Sequence, residues 1–180
     1  MPVIPTLETD RLILRGPSMD DFEPFAAFYA SDRAKFVGGP LDKEGSWRML
    51  AMEIGHWMLK GYGRWTVALK DTTEPIGMIG PFCPHGWPEP EIGWDLFNGY
   101  EGKGFATEAA VASRDYAYDI LGWDTAISLV KYGNDKSAAL ALRLGAKPDG
   151  DFTHDRHGLM QVYRHPAPQE LTDGGIEAYS

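Results

Sequence analysis

The sequence predicts an α/β (α+β) domain built on a mixed central sheet with helices on both faces. Three observations predict it. Strand patterns at 65–70, 75–81 and 91–96 are separated by turn and proline-rich segments and no helix, which reads as an antiparallel run. A series of helix, strand and helix follows between Phe105 and Gly145, which adds a parallel crossover. Two helical patterns precede the strands, and sheets that change from antiparallel to parallel often carry a ligand near the change.

The elements follow in order. Arg11 to Arg15 alternates Leu12 and Leu14 against charge, as a short strand does. Ser18-Met19-Asp20-Asp21 starts a helix that carries Phe22, Phe25, Ala26, Phe28 and Tyr29 at helical spacing. Gly38-Gly39-Pro40 interrupts the chain. A second helix spans 43–60, with Trp47, Leu50, Ile54, Trp57 and Met58 on one broad face. Gly61-Tyr62-Gly63 turns into the strand at 65–70. Residues 71–74 form a hairpin loop, and the second strand covers 75–81. The segment 84–90 (PHGWPEP) is a rigid loop before the strand at 91–96. Ala106, Ala109, Ala110, Ser113, Tyr116, Ala117 and Ile120 mark a helix over 105–121 whose small stripe suits close packing on a sheet. Residues 125–130 are a buried strand, 134–144 a helix closed by Gly145, and 158–164 a late strand after the HDRHG turn. Residues 1–165 therefore read as one domain, and 166–180 as a polar, peripheral tail.

Bulk properties restrict the function. The 180 residues suit one domain with a sizeable core. A net charge of −9 argues against nucleic acid and anionic lipid as partners, and mildly favours a cationic ligand. Cys83 is the single cysteine, so no internal disulfide is possible. Neither a membrane span nor a secretory leader is expected, and the predicted compartment is cytoplasmic. The five histidines show no metal-ligand spacing, and no metal is predicted.

The chemistry centres on Gly102-Lys103-Gly104-Phe105-Ala106-Thr107, where a strand feeds a helix. The first turn of a helix leaves unpaired N–H groups, and its dipole favours an anion. Two glycines let the backbone approach phosphate oxygens and take unusual dihedrals. Lys103 adds a positive charge. No Ser, Thr, Asp or Asn occupies the expected cap, which leaves that role to a ligand. By itself the pattern also fits a plain glycine bend. It lacks the third glycine of the dinucleotide fingerprint and the Gly-Lys-Ser/Thr ending of an ATP loop. Some 30 residues on, Asn134 can cap the next helix, and its amide or the Ser137 hydroxyl one turn in can face a ligand in the same cleft.

With the strand EIGWDL, the turn YEGKGFATEA and the helix NDKSAALALRLGA in this order and spacing, the chain resembles the GNAT superfamily of N-acetyltransferases. Its opening, LETDRLILRGPSMDDFEPF, is most similar to the branch that contains the ribosomal-protein N-terminal acetyltransferases. The resemblance covers roughly residues 7 to 165 and implies a mostly antiparallel sheet with a V-shaped splay between two parallel strands, here those at Glu91 and Thr125. It implies acetyl-CoA as the acyl donor. The pyrophosphate would be held by the N–H groups of Gly102 to Thr107. The pantetheine arm would pair with the backbone of Trp94, Asp95 and Leu96, whose N–H groups polarise the thioester, and Asn134 and Ser137 would lie near the sulfur. Two positions depart from the family. Glu101 stands where Gln or Arg is usual, so its side chain is expected to point away from the phosphates. Ala141 stands where many members carry an acidic tyrosine, which leaves Ser137 or a water to protonate the thiolate.

An alkyl amine is largely protonated at neutral pH, so the transfer needs a base. Glu91 is the expected base, Glu89 a weaker alternative, and His85 a loop residue placed to overlook the acceptor. Cys83 is not expected to act as a nucleophile. Trp47, Trp57, Trp65 and Trp87 are candidates to line an acceptor slot, most of them expected as core or rim residues. The acceptor is a primary amine of a small molecule or a peptide N-terminus, and a homodimer is possible. The competing reading is a non-catalytic acyl-CoA-binding or regulatory module of the same fold.

Overall fold

In a computed structural model that describes residues 3–172, the chain forms an eight-stranded sheet. The strands are β1 (Leu7–Glu8), β2 (Leu12–Arg15), β3 (Trp65–Leu69), β4 (Pro75–Phe82), β5 (Glu91–Leu96), β6 (Ile127–Lys131), β7 (Lys147–His154) and β8 (Gly158–Arg164). The helices are α1 (Phe22–Tyr29), α2 (Lys43–Lys60), α3 (Phe105–Asp119), α4 (Asp135–Arg143) and α5 (Pro168–Thr172). The sheet order is β1-β2-β3-β4-β5-β6-β8-β7, and β5 with β6 is its parallel pair. This is the GNAT arrangement that the sequence resembles.

Two cores hold the layers. On one face, Ala109, Ala110 and Ala117 of α3 lie against Leu12, Val67, Ile79 and Ile92 of the sheet. Small side chains let the helix axis approach the strands closely, as the alanine stripe predicts. On the other face, Phe25, Phe28 and Tyr29 of α1 and Leu50 of α2 pack on Met78 and Phe97. Burying a side chain of this size contributes about 1.5–3 kcal/mol each. Trp57 and Trp65 are core residues, 5.1 Å apart edge to face, while Trp47 is exposed.

The structure departs from the sequence reading in three places. The strand β7 has no sequence signature: KPDGDFTH is mostly exposed, and its register slips between Pro148 and Asp151. It exists as the outer partner of β8. The strand β1 is only two residues long and pairs with β2. The tail segment 166–172 is partly integrated. The Tyr118 hydroxyl donates to the Pro166 carbonyl at 2.9 Å, and Leu171 packs on the larger core. The remainder of the predicted tail, 173–180, lies outside the described residues.

Candidate active site

The site begins where β5 and β6 part. Their register contains one pair, Glu91 with Ile127, and the Ile127 N–H donates to the Pro90 carbonyl at 3.1 Å. The next rung of a parallel ladder would join Leu129 to the Ile92 carbonyl. Instead, the Ser128 hydroxyl donates to that carbonyl at 2.7 Å. Beyond this point β5 has no β6 partner. Alternation along β5 turns the even-numbered main-chain groups, those of Trp94 and Leu96, toward the gap. Odd-numbered groups turn to β4, as the Phe97 N–H donating to Ile76 shows. The expectation that the Asp95 backbone faces the cleft is therefore corrected: its carbonyl points to β4, where a Cβ on Gly77 would lie 2.5 Å from the oxygen.

A cavity of about 980 Å³ opens on the α1–α2 face of the splay. Glu91, Gly93 and Asp95 share this face of β5 by the two-residue period. Glu91 is buried, and its carboxylate accepts from the Trp87 indole N–H at 2.8 Å. Burial pushes its pKa from the ordinary 4.5 up to about 7, against the opposing pull of Trp87, Arg64 and the Leu129 N–H. A carboxyl group poised there is partly ionised near neutral pH, and its carboxylate form can accept a proton. Its seat depends on Gly93, since a Cβ at that position would lie 2.7 Å from the Glu91 carboxylate oxygen. Gly93→Ala is expected to leave the fold intact and to displace this carboxylate. Its effect is a fall in kcat/KM of tenfold or more with little change in Tm, read by parallel kinetics and thermal unfolding.

Beneath Glu91 lies a buried ionic network. The Arg64 guanidinium pairs with Glu53 of α2 and donates to Asp95 Oδ2 at 2.8 Å. The Tyr29 hydroxyl donates to the same Oδ2 at 2.9 Å. Asp95 Oδ1 is buried without a hydrogen-bond partner. Two acids and one base give this floor a formal charge of −1.

The walls come from loops. Trp87, the donor to Glu91, is wedged against His154 at the end of β7 and His157 of the β7–β8 turn, with ring centroids 5.1 and 5.6 Å away. His85 also lines the cavity. Glu89 is not available as a base. It forms a two-pronged ion pair with Arg164, which holds its carboxyl below the usual range. The Cys83 thiol is pushed up by burial, which disfavours the thiolate.

At the other end of the splay, α3 begins at Gly104 with φ +79° and no side-chain cap. Gly102 is also left-handed, at φ +73°. The first-turn N–H groups of Phe105, Ala106 and Thr107 thus have no side-chain cap. Glu101 is turned to Arg33 at 3.1 Å and to the Gly99 N–H at 2.8 Å. Sequence reasoning missed two cations here. Arg11 lies 4.6 Å from the Phe105 ring centre and donates to the Lys103 carbonyl, while Arg143 reaches Thr107 at 3.5 Å. Across the gap, Asn134 caps α4 by accepting from the Ser137 N–H at 3.4 Å. The Ser137 hydroxyl accepts from the Trp94 indole at 2.9 Å, so its own proton is free to be donated. Among the described residues there is no group of His, Cys, Asp and Glu able to hold a metal, and no helix long and apolar enough to cross a membrane.

A sheet opened between two parallel strands, with an uncapped helix at one end and a carboxyl-floored cavity at the other, is the framework of an N-acetyltransferase. The chain belongs to the GNAT family, whose acetyltransferase domain model matches residues 11–147. It is 29% identical over 152 residues to YoaA of Bacillus subtilis (strain 168), described as an uncharacterized N-acetyltransferase, spanning 82% of this chain and 86% of that one. The crystal structure of an acetyltransferase from Agrobacterium tumefaciens str. C58 is 40% identical with a TM-score of 0.84, covering 92% of this chain and 96% of that one. The ribosomal-protein-S5-alanine acetyltransferase from Vibrio fischeri shares the fold at 16% identity and a TM-score of 0.69, covering 91% and 97%.

Proposed function

We propose that the chain moves an acetyl group from acetyl-CoA to a primary amine, of a small molecule or a peptide N-terminus, by direct attack at the β5–β6 splay. The observation that carries this reading is Glu91, a buried carboxyl at the parting of the strands, held by Trp87 and facing the open cavity. The N–H groups of Gly102 to Thr107 receive the pyrophosphate, with Lys103 and Arg143 adding charge nearby, while Arg11 is held by Glu108 at 2.7 Å. The open main-chain edge at Trp94 and Leu96 pairs with the pantetheine arm. Glu91 takes the proton from the ammonium. The freed amine attacks the thioester carbonyl, and the Trp94 N–H stabilises the oxyanion, a type of interaction worth about 3–4 kcal/mol per donor. Collapse expels the thiolate, and the second proton of the nitrogen reaches it through Ser137, whose hydroxyl gives its proton to the sulfur and regains one from the nitrogen, leaving a neutral amide and the free thiol. Ala141 supplies no acid in place of a tyrosine, since it is a buried methyl group.

The test is coenzyme A release from acetyl-CoA over a panel of primary amines. Release with at least one amine class is the expected result; acetyl-CoA binding without release across the whole panel would instead favour the binding-module reading. Ser137→Ala is expected to lower kcat about tenfold with little change in the KM for acetyl-CoA, in line with a modest general-acid contribution. Steady-state kinetics with both substrates varied separates the two parameters.

A further inference from the structure

We propose that the acceptor amine also carries an acidic group, which Lys131 and Arg156 hold at the cavity rim while Glu91 and Asp95 face its amine at the floor. The inference rests on the acetyl-transfer reading above and names the acceptor class.

The cavity is electrically polarised. Its floor carries Glu91 and Asp95, with Glu53 behind them and Arg64 as the single compensating charge. Asp95 Oδ1 has no partner. Buried carboxylate oxygens are costly to leave unbonded, and this unpaired acceptor behind the cavity wall adds to the negative field that favours an ammonium at the floor. The rim is the reverse. Lys35, Arg48, Lys131 and Arg156 line it, against one acid, Asp155. Arg48 is paired with Glu44, whereas Lys35, Lys131 and Arg156 have no acid partner among the described residues. In a chain with a net charge of −9, three unpaired cations around one opening run against the overall balance.

Lys131 is the best placed of the three. It is half-buried and lies on β6 opposite Met160 of β8. Glu91 is in register with Ile127, so Leu129 and Lys131 project from the same sheet face as Glu91, Gly93 and Asp95. Four residues along a strand span about 13 Å. Lys131 therefore lies about 13 Å along the strand from the level of Glu91, on the α1–α2 face, where it lines the same cavity. Arg156 joins it from the β7–β8 turn. Lys131, Arg156 and His157 line the same cavity, and burial, then His154, then the two cations hold the His157 imidazole below its ordinary pKa. A ligand with a cation at one end and an anion at the other matches this arrangement, and a simple alkylamine matches only half of it. Charge-assisted hydrogen bonds to a carboxylate are about twice as strong as neutral ones.

The test compares free amino acids of graded length with their carboxamides as acceptors, by coenzyme A release. The acids are expected to exceed their amides in kcat/KM by tenfold or more. Lys131→Met is expected to erase that preference by raising the KM for the acids, leaving the amides and the KM for acetyl-CoA unchanged. Arg156→Met, as a second variant in a different element, is expected to weaken the preference in the same direction. Amides used as well as acids would overturn the proposal. So would a Lys131→Met variant that slows both equally, or one that raises the KM for acetyl-CoA, since the lysine would then serve the donor. Calorimetric titration of the same amino acids into the protein saturated with coenzyme A reads binding without turnover. Binding at least tenfold weaker in Lys131→Met supports the acidic-acceptor proposal even if no amine is acetylated, an outcome that would defeat only the transferase reading. Equal binding of acid and amide overturns it.

Discussion

Glu91→Gln is expected to lower kcat/KM by about 10²–10⁴-fold, the usual worth of a positioned general base. It should abolish the pH dependence at the same time. In the wild type, the carboxyl titrates at about 7, so the basic form is scarce below that pH and dominant above it. The value of kcat/KM should rise about tenfold per pH unit up to about 7 and then level off. The glutamine variant should show no limb at 7. Stability should move the opposite way. The pKa of Glu91 is higher in the folded chain than the ordinary 4.5, so its stabilising effect is complete below about 4.5 and is lost as the pH rises through about 7. That loss amounts to about 3 kcal/mol. Gln is neutral throughout and can still accept from Trp87. At pH 8 the variant should therefore be more stable by up to about 3 kcal/mol, or several degrees in Tm for a chain of this size. At pH 4.5 the two should coincide. A variant that is inactive yet harder to unfold at pH 8 separates catalysis from folding, and paired kinetics and calorimetry at the two pH values check it.

Arg64→Met should have the largest effect on the fold. Arg64 is 7% exposed and answers two buried carboxylates, Glu53 at 0% and Asp95 at 3%. Its backbone carbonyl also accepts from the Trp57 indole at 2.8 Å, a bond that the substitution keeps. Removing the guanidinium leaves two buried acids without a counter-charge, which costs about 3–5 kcal/mol. Against a total of about 5–15 kcal/mol, this brings the chain close to unfolding. Adding Glu53→Gln to Arg64→Met should recover part of the loss, because one uncompensated charge is then gone. Urea unfolding of the wild type, the single variant and the double variant reads both steps. Equal stability of wild type and Arg64→Met would contradict the account of the floor.

Much of this architecture is legible in the sequence, because periodicity and glycine placement are local signals. The alanine stripe of α3, the left-handed Gly102 and Gly104, and the Asn134 cap all follow from nearby residues. The same holds for Glu91, which stands at the start of an obvious strand after a proline-rich loop. The missed parts are non-local. The strand β7 is mostly exposed and carries Pro148, Gly150 and two acids, Asp149 and Asp151, so only its pairing with β8 makes it a strand. Arg64 looks like a strand-flanking surface residue, and nothing nearby signals that Glu53 and Asp95, 11 and 31 residues away, close around it. Trp87 reads as a loop aromatic until the fold sets its indole against Glu91. The demotion of Glu89 likewise depends on Arg164, 75 residues on. Asp95 shows the limit of reading a strand as a unit: its neighbours Trp94 and Leu96 open to the gap, while alternation turns its own backbone to β4 and its side chain to the buried network.

The central claim is that acetyl-CoA spans the splay from the α3 turn to Glu91. A crystal structure with coenzyme A bound tests it most directly. The account predicts pyrophosphate oxygens within hydrogen-bond distance of the N–H groups of Gly102 to Thr107, the pantetheine arm along Trp94 and Leu96, and the thiol between Ser137 and the Glu91 cavity. A pyrophosphate seated away from the Gly102–Thr107 turn, or a thiol on the far side of the sheet from Glu91, would contradict it.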